Sequence, residues 1–490
     1  MIAPSKESRD GLPPGPPGPK LVQVFRWLRT PIPLLEECAR LYGDTFTFRF
    51  PANPPVVIFS HPDAVKEIFT ASPEDLRAGE ANVVVEPLLG KNSLLLLDGE
   101  RHRRERRLLT PPFRGERMQA YGDVMRAITD RAIDTWPLGR PFPIHPEMQG
   151  ITMDVILRTV FGLDEGPRLT ALRRRLIRLL TIGANPMYLI PLLRFRLGPI
   201  TAWAEIARLM AEVDAAILGE IARRRETILE GRTDVLSMLL QARDEQDEPM
   251  TDQELRDQMM TLLVAGHETT GTALSWTIHR VLRHPEVLDR VRKEMGDLAG
   301  DGPLTKEHLS RLEYLDATIM ETMRLNPIIP FVARRVHRPM RIGGWDLPAG
   351  VVVGPCVYLA QRRPDVWEDP ERFDPERFLD RRANPYTWFP FGGGTRLCLG
   401  AAFASYEMKI VLAQVLRRVT LRAAPGHTVR VVRRSITFAP SGGVPVIVDR
   451  RVDRRVDRRV DGRVEERAEE RAAREAGSGT DRRGGAGLRG

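Results

Sequence analysis

A glycine-rich turn that carries a single thiol is the feature that most restricts how this chain can fold. Residues 391–400 read Phe-Gly-Gly-Gly-Thr-Arg-Leu-Cys-Leu-Gly and lead directly into an apolar helical pattern from Ala401. Glycines let a backbone approach a flat ligand closely, while backbone N–H groups and the positive end of the following helix lower the pKa of the Cys398 thiol. Such a thiolate can hold a haem iron. The alternative is a free cysteine that packs as a small hydrophobic side chain.

The composition is that of an ordinary globular protein, with 42% hydrophobic and 28% charged residues. The three cysteines, Cys38, Cys356 and Cys398, are odd in number and far apart, which argues against a disulfide framework and favours a reducing cytoplasm. We interpret Cys38 and Cys356 as packing residues. No apolar run near the N-terminus is long enough for a signal peptide or a membrane span. We therefore expect a soluble, cytoplasmic protein of bacterial type.

The two ends of the chain differ in composition from its body. Residues 1–20 are rich in proline, and residues 449–490 form a low-complexity tail rich in Arg, Asp and Glu. The tail has too few apolar residues to fold alone, so it is predicted to be disordered or a solvated single helix. A nucleic-acid or partner-binding arm is the alternative, but acidic residues interleave with the arginines, and we expect no nucleic-acid binding. One folded domain is predicted over residues 21–448.

Most of this domain has helical spacing. Residues 46–50 and 56–59 are predicted to be strands around a proline-containing turn, and from His61 onward proline and glycine punctuate a series of helices. The longest begins at a capping box, Thr251 to Glu254, and has no proline before His284-Pro285. Its middle, residues 265–271, reads Ala-Gly-His-Glu-Thr-Thr-Gly, a composition of low helix propensity. This indicates either a mild kink or a functional motif.

The cysteine turn resembles a known family. Phe391, Gly394, Arg396, Cys398 and Gly400 match, position by position, the haem-binding loop of the cytochrome P450 monooxygenases. The resemblance extends from about Leu12 to Val448. It implies a mainly α fold with small β-sheets, a triangular helical body around a buried haem b, and the Cys398 thiolate as the axial ligand of the iron.

The long helix resembles the oxygen-activation motif of the same family at Ala265, Gly266, Glu268, Thr269 and Thr270. The resemblance implies that Gly266 leaves space over the iron, that the Thr269 hydroxyl donates to dioxygen, and that Glu268 relays protons from solvent. His267 is given no role. In this reading the catalytic residues are Gly266, Glu268 and Thr269.

Four cationic or polar side chains are predicted to bind the haem propionates. His102 and Arg106 lie four residues apart on a densely basic helix, which would otherwise be a solvated surface. Arg396 lies two residues before the cysteine. Arg334 takes the fourth position by resemblance, although Arg335 beside it is an alternative. The other arginines of the basic helix would make a positive outer surface for an acidic electron donor.

Two further sets of residues complete the prediction. Glu321 and Arg324 form either an ordinary surface ion pair or, with Arg377, the buried cluster that the resemblance implies beneath the haem. Residues 166–210 resemble the mobile helix pair that covers the substrate pocket. The predicted pocket residues, mostly aliphatic, are Val84, Val85, Leu88, Leu262, Ala265, Ile329, Val332 and Gly443.

The resemblance implies a monooxygenase that inserts one oxygen atom of dioxygen into a C–H or double bond of an apolar molecule such as a fatty acid, terpene or polyketide. No flavin, nicotinamide or iron–sulfur motif is present, so electrons would come from NAD(P)H through a separate ferredoxin and its reductase, and the protein is expected to be a monomer. The alternatives are a peroxide-driven peroxygenase of the same fold, against which the Glu268-Thr269 pair argues, and a haem-binding protein without turnover.

Overall fold

The computed structural model describes residues 11–51, 53–184, 202–227, 231–300, 302, 304–380 and 383–452. Helices dominate the described chain, as predicted. In chain order they are α1 (Lys20–Arg29), α2 (Pro31–Tyr42), α3 (Pro62–Thr70), α4 (Ala78–Ala81), α5 (Glu86–Leu89), α6 (Gly99–Leu109), α7 (Glu116–Thr135), α8 (Ile144–Thr159), α9 (Pro167–Gly183), α10 (Ala202–Arg225), α11 (Val235–Gln241), α12 (Asp252–Val281), α13 (Pro285–Ala299), α14 (Lys306–Ser310), α15 (Glu313–Leu325), α16 (Val357–Ala360) and α17 (Ala401–Arg418).

The strands are short and form small sheets. They are β1 (Thr45–Phe48), β2 (Val56–Phe59), β3 (Leu76–Arg77), β4 (Phe142–Pro143), β5 (Arg334–Val336), β6 (Met340–Ile342), β7 (Trp345–Leu347), β8 (Val352–Pro355), β9 (Val419–Ala423), β10 (Val431–Arg434), β11 (Thr437–Pro440) and β12 (Pro445–Arg451).

Two sheets and two hairpins result from these strands. The largest sheet has the order β1-β2-β8-β5-β3, with β1 antiparallel to β2 and β2 parallel to β8. A second sheet has the order β4-β12-β9, and β6–β7 and β10–β11 are antiparallel hairpins. The predicted strands at 46–50 and 56–59 are therefore confirmed as β1 and β2, and β5, which carries Arg334, lies inside the largest sheet.

Helix α12 is the central element of the fold. The predicted capping box is present: Glu254 N donates to Thr251 Oγ1 at 3.2 Å, and Thr251 N donates to Glu254 Oε2 at 2.8 Å. The helix has 30 residues, or about 45 Å at ~1.5 Å per residue. It packs against α8, α10, α15 and α17, and its side chains on these sides, such as Leu263 and Leu274, are fully buried. Each such side chain contributes roughly 1.5–3 kcal/mol to the free energy of unfolding.

The folded body extends beyond both predicted domain boundaries. Leu12 is buried, and Thr47 N donates to Pro14 O at 2.8 Å, so the proline-rich segment from residue 11 packs onto β1. Strand β12 continues to Arg451, past the predicted end at 448, because its pairing with β9 resumes at Arg450 and Arg451 after a bulge. The rest of the predicted tail, 453–490, lies outside the described residues.

The predicted helix pair over the pocket corresponds to α9 and α10. The two helices are joined by ion pairs, Arg175 with Glu212 at 2.9 Å and Arg178 with Glu205 at 2.7 Å. The segment between them, 185–201, lies outside the described residues. In the described part of the chain, every helix is too short or too polar to span a lipid bilayer.

Candidate active site

The loop that carries Cys398 is held against helix α3. Cys398 N donates to Phe391 O at 2.9 Å, and the chain turns at Gly394, where φ is +63°. A Cβ on Gly394 would lie 2.1 Å from the carbonyl oxygen of Phe69, and a Cβ on Gly393 would lie 2.3 Å from the Phe69 ring. Helix α3 therefore requires glycine at these positions, whereas the sequence suggested that the glycines make room for a flat ligand.

Cys398 differs from the other two cysteines because it is exposed, while Cys38 and Cys356 are buried as predicted. Burial raises the pKa of the Cys398 thiol, and the N–H of Gly400 and the guanidinium of Arg106 act in the opposite direction. The sequence predicted a lowered pKa. The structure shows the reverse because protein surrounds the thiol closely, even though part of its surface remains open. Coordination to a metal would itself remove the proton.

A group of cationic and polar side chains lies near this thiol. We name His102, Arg106, Arg334 and Arg396 the cation group. Burial, together with the nearby charges of Arg396, Arg106 and Arg334, lowers the pKa of His102 to about 4. Arg106 Nη2 donates to the carbonyl of Leu397, directly before the cysteine, at 2.7 Å. The structure thus brings together the four residues predicted to bind the propionates.

The cation group has fewer anions than cations. Arg396 pairs with Asp98, whose Oδ1 also accepts the N–H groups of Ala78 and Gly79 at 3.0 Å each. Within the described ranges, Asp98 is the carboxylate that forms an ion pair with this group. Burial lowers the pKa of both Arg334 and Arg396 to about 10. Sequence reasoning missed Asp98: its position before α6 suggests a cap of that helix, but its carboxylate accepts from the N–H groups at the start of α4 instead.

The structure decides between Arg334 and Arg335. Arg334 is buried, and its Nη1 donates to its neighbour's carbonyl, Ala333 O, at 2.9 Å. The side chain of Arg335 is 41% exposed and lies 3.8 Å from Glu80. Adjacent residues in a strand point to opposite faces, so only one of the two can reach the interior. Arg334 is the interior residue.

These donors fit haem. A haem needs one axial ligand and counter-charges for two propionate carboxylates. The exposed sulfur of Cys398 can supply the ligand, Arg106 and Arg334 lack a carboxylate ion-pair partner among the described residues, and the neutral His102 can donate a ring N–H. A buried cation without an anion is costly, which favours an anionic ligand at this site.

One residue in the middle of α12 has an exposed surface. Ala265 is exposed although it lies in the middle of the helix, and Thr269 Oγ1 donates to Ala265 O at 2.5 Å. Gly266 lies where α12 approaches α8. A Cβ on Gly266 would lie 3.0 Å from Ile156 Cδ1, so this glycine allows the two helices to pack closely, and its predicted role over the iron stays a prediction.

Glu268 points toward the hairpin β10–β11. Its Oε1 accepts a hydrogen bond from Thr437 Oγ1 at 3.2 Å and lies 4.0 Å from Arg434 Nε. Burial raises the pKa of Glu268, while Arg434 and Thr437 lower it. His267 beside it is buried and packs against α8, where its carbonyl accepts from Thr152 Oγ1 at 2.9 Å. Burial, with Arg173 and Arg434 nearby, lowers the pKa of His267 to about 4, so its imidazole is neutral at pH 7.

The structure forms the predicted cluster around Glu321. Arg324 binds the Glu321 carboxylate with two hydrogen bonds, 2.6 and 2.8 Å, and both side chains are 0% exposed. Arg377 Nε lies 3.6 Å from Glu321 Oε1, and Arg377 Nη2 donates to Asp369 O at 3.1 Å. The ordinary surface ion pair that we also considered is therefore excluded.

Gln361 connects this cluster to the cysteine loop, and sequence reasoning missed it. Its backbone carbonyl accepts from Arg324 Nη1 at 2.9 Å. Its side-chain Oε1 accepts from Phe389 N at 3.1 Å, and Phe389 O in turn accepts from Gly392 N at 2.9 Å. Gln361 is fully buried on the turn after α16. No sequence pattern marks it.

The predicted pocket residues are only partly supported. Ala265 is exposed, and the half-buried residues of the set are Val84, Val85, Leu88, Leu262, Ile329 and Val332. Gly443 has a φ of +70°, and a Cβ there would lie 2.9 Å from Pro143 Cβ, so it packs against β4; its place in the pocket stays a prediction.

The positive surface on α6 is smaller than predicted. Arg103 pairs with Glu100, Arg107 pairs with Glu245, and Arg104 Nε lies 2.5 Å from Asp244. These acids neutralise much of the charge that the sequence suggested. Arg114, after α6, is exposed and lies close enough to Arg106 to affect its pKa.

Comparison with known proteins supports this interpretation of the site. The family model described as Cytochrome P450 matches residues 13–443. The chain is 40% identical over 457 residues to cytochrome P450 135B1 of Mycobacterium tuberculosis, covering 91% of this chain and 93% of that protein. It is 36% identical over 442 residues to cytochrome P450 138 of Mycobacterium bovis, covering 90% and 97%.

Solved structures agree with these relatives. The fold is similar to that of cyanobacterial CYP120A1, with a TM-score of 0.80, 28% identity and coverage of 89% of this chain and 99% of that one. It is also similar to the haem domain of cytochrome P450DA, with a TM-score of 0.79, 25% identity and coverage of 90% and 98%. The match of sequence and fold over nearly the whole chain, around an exposed cysteine and its cation group, shows that this chain belongs to the cytochrome P450 family.

Proposed function

We propose that this cytochrome P450 monooxygenase inserts one oxygen atom of dioxygen into a C–H or double bond of an apolar small molecule, with electrons from NAD(P)H through a separate ferredoxin and its reductase. The observation that carries the proposal is the juxtaposition of the exposed Cys398 thiol with buried arginines that have too few carboxylate partners. The same residues would serve a haem whose two propionates need cations.

Each residue has a defined task in this proposal. Cys398 would hold the iron through its sulfur, and Arg106, Arg334, Arg396 and His102 would orient the propionates. Haem bound there supplies the activation of dioxygen. The Thr269 hydroxyl passes a proton into the pocket, and the Glu268 carboxyl replaces that proton from the solvent side.

The arrangement of Thr269 suits proton delivery. Its hydroxyl donates a hydrogen bond to Ala265 O. The two lone pairs of the hydroxyl oxygen therefore remain free to accept a hydrogen bond from a proton donor. Thr269 is half-buried beside the exposed Ala265, whereas most other threonines of α12 are fully buried. Glu268 directly precedes Thr269 in sequence, and its carboxylate accepts a hydrogen bond from Thr437.

The predicted pocket residues are mostly aliphatic and half-buried, such as Leu88, Leu262 and Val332, which suits an apolar substrate. The similar cyanobacterial protein was solved with retinoic acid bound, a molecule that is apolar over most of its length. This supports an apolar substrate of the fatty-acid, terpene or polyketide type.

The electron donor and the cellular location are proposed from two surface features. The exposed Arg114 offers a positive charge near Arg106 that would attract an acidic ferredoxin. The three free cysteines suit a cytoplasmic protein.

The test has two parts. The reduced, carbon-monoxide-bound protein should show the strongly red-shifted Soret band of thiolate ligation, and Cys398→Ala should abolish it; retention of that band in the variant would refute the assignment. Thr269→Ala should divert electrons to hydrogen peroxide at the expense of product. The matched control is Thr277→Ala, because Thr277 Oγ1 makes the same contact with a carbonyl four residues earlier, Ala273 O at 2.9 Å, but is fully buried.

A further inference from the structure

The hairpin β10–β11 contacts three separate parts of the fold through its tight turn. Thr437 and Arg434 face Glu268 on α12. Ser435 N donates to Ala184 O at the carboxyl end of α9, at 2.9 Å. Arg433 stacks over the Trp27 ring of α1, 4.9 Å from its centroid. The contacts of Arg433 with α1 and of Ser435 with α9 therefore hold the turn in place beside Arg434 and Thr437, the two residues that reach Glu268.

The Thr437 hydroxyl can serve Glu268 in both of its protonation states. It lies 3.2 Å from Glu268 Oε1 and 2.8 Å from the carbonyl oxygen of Arg434. A hydroxyl has one hydrogen to donate and two lone pairs to accept with. When Glu268 is ionised, Thr437 can donate to it. When Glu268 is protonated, Glu268 can donate to Thr437, whose own hydrogen then turns to the Arg434 carbonyl.

Arg434 differs from the other titratable groups around Glu268 because it carries a charge at pH 7 and lies within ion-pair distance of the carboxylate. His145 on α8 and His267 on α12 are buried and neutral at pH 7, with pKa values of about 3 and 4. Arg173 on α9 lies near His267. Arg434 is the cation within ion-pair distance of Glu268 in the described part of the chain, and its side chain is 34% exposed.

We propose that Thr437 and Arg434 are positioning residues for Glu268, so that the hairpin turn, 166 to 169 residues away in sequence, holds the carboxyl that delivers protons. This inference rests on the proposed function for its catalytic consequence. The hairpin keeps Glu268 oriented while its proton is lost and regained, and the bond from Ser435 to Ala184 keeps the turn in place.

The experiment uses the full-length, haem-loaded protein. The carboxyl of Glu268 is titrated by infrared difference spectroscopy in the resting state, with Glu268→Gln to assign its band. Thr437→Val removes the hydroxyl at nearly constant shape, and Thr437→Ser restores it. Arg434→Gln removes the charge. The matched control is Arg430→Gln, an exposed arginine just before the same hairpin.

The sign of the expected shift follows from the contacts. Arg434 favours the ionised carboxylate through its charge, and Thr437 favours it because its hydrogen bond to a charged acceptor is stronger than its bond with the neutral carboxyl. Thr437→Val and Arg434→Gln should therefore each move the titration midpoint upward, by about half a pH unit or more. Thr437→Ser and Arg430→Gln should titrate as the wild type does. The first two variants should also release a larger share of electrons as hydrogen peroxide during turnover, and Thr437→Ser should not.

Two results would overturn the inference, and they are distinguishable. An unchanged midpoint in both Thr437→Val and Arg434→Gln would show that the hairpin does not hold Glu268. Shifted midpoints with unchanged electron use, in these variants and in Glu268→Gln itself, would show that Glu268 does not deliver protons. That second result would refute this part of the proposed function, and with it the catalytic consequence of the hairpin.

Discussion

Replacing Arg324 tests the buried cluster most directly. Arg324→Met keeps much of the volume of the side chain but removes the charge that faces Glu321. The guanidinium makes two hydrogen bonds to that carboxylate and three to the carbonyls of Gln361, Pro370 and Arg372, at 2.9, 2.7 and 3.1 Å. All of these acceptors would lose a charged donor in one step.

The expected loss of stability is large. Removing one partner of a buried ion pair costs about 3–5 kcal/mol, because the remaining charge is left without compensation. Each carbonyl that loses its donor adds on the order of 1 kcal/mol or more. The sum, roughly 6 kcal/mol or above, is comparable to the whole stability of many domains. We therefore expect little folded, haem-containing protein for Arg324→Met.

Arg377→Met is the matched control. Arg377 faces the same carboxylate, but at 3.6 Å, and its side chain is 13% exposed. Glu321 keeps its partner Arg324 in this variant, so we expect a loss of only about 1–2 kcal/mol. The double variant Glu321→Gln with Arg324→Met removes both buried charges and should be more stable than Arg324→Met alone.

The assay is urea unfolding at fixed protein and haem concentrations, followed through the Soret band and through helical circular dichroism, because bound haem adds to the apparent stability. If Arg324→Met unfolded within about 1 kcal/mol of the wild type, or at the same urea concentration as Arg377→Met, the argument from buried charge would be refuted.

Two further predictions concern single side chains. Gly394→Ala should prevent stable haem retention, because φ is +63° there and the added Cβ would lie 2.1 Å from the backbone oxygen of Phe69. The control is Gly296→Ala on α13, which should retain haem because an added Cβ there has no atom within 4 Å. Equal haem content in the two variants would contradict this prediction. Burial raises the pKa of Glu407 well above its ordinary value, and Glu407 Oε1 has no hydrogen-bond partner among the described residues. The folded state therefore holds this proton more tightly than the unfolded state, so wild-type stability should fall as pH rises above the ordinary range of glutamate. Glu407→Gln should lack that part of the fall, as urea midpoints at pH 5 and pH 8 would show; identical pH dependence in both proteins would exclude a protonated Glu407.

The haem-binding part of the site was predictable because its signals are local. The turn around Cys398, the capping box at Thr251 and the spacing of His102 and Arg106 each lie within about ten residues of sequence. Local spacing reports backbone geometry directly, since residues four apart on a helix share a face. The same logic predicted the pair Glu321 and Arg324.

Other parts of the site could not be read from the sequence. Arg334 and Arg335 are chemically identical neighbours, and only the sheet pairing of β5 shows which one is buried. A Cβ at Gly266 would meet Ile156 only because α12 packs on α8, and the sequence does not show that packing. The raised pKa of Cys398 depends on how closely other elements surround it.

The sequence by itself determined the family, the mainly helical fold, the cysteine and the residues whose spacing places them on one face of an element. Only the tertiary structure decided which partners those residues have: Asp98 for Arg396, Gln361 between Arg324 and the cysteine loop, and Thr437 for Glu268. These contacts join residues that are 28 to 298 positions apart. Helical and strand periodicity carries no information over such distances, because which faces meet is set by the packing of whole elements around the core.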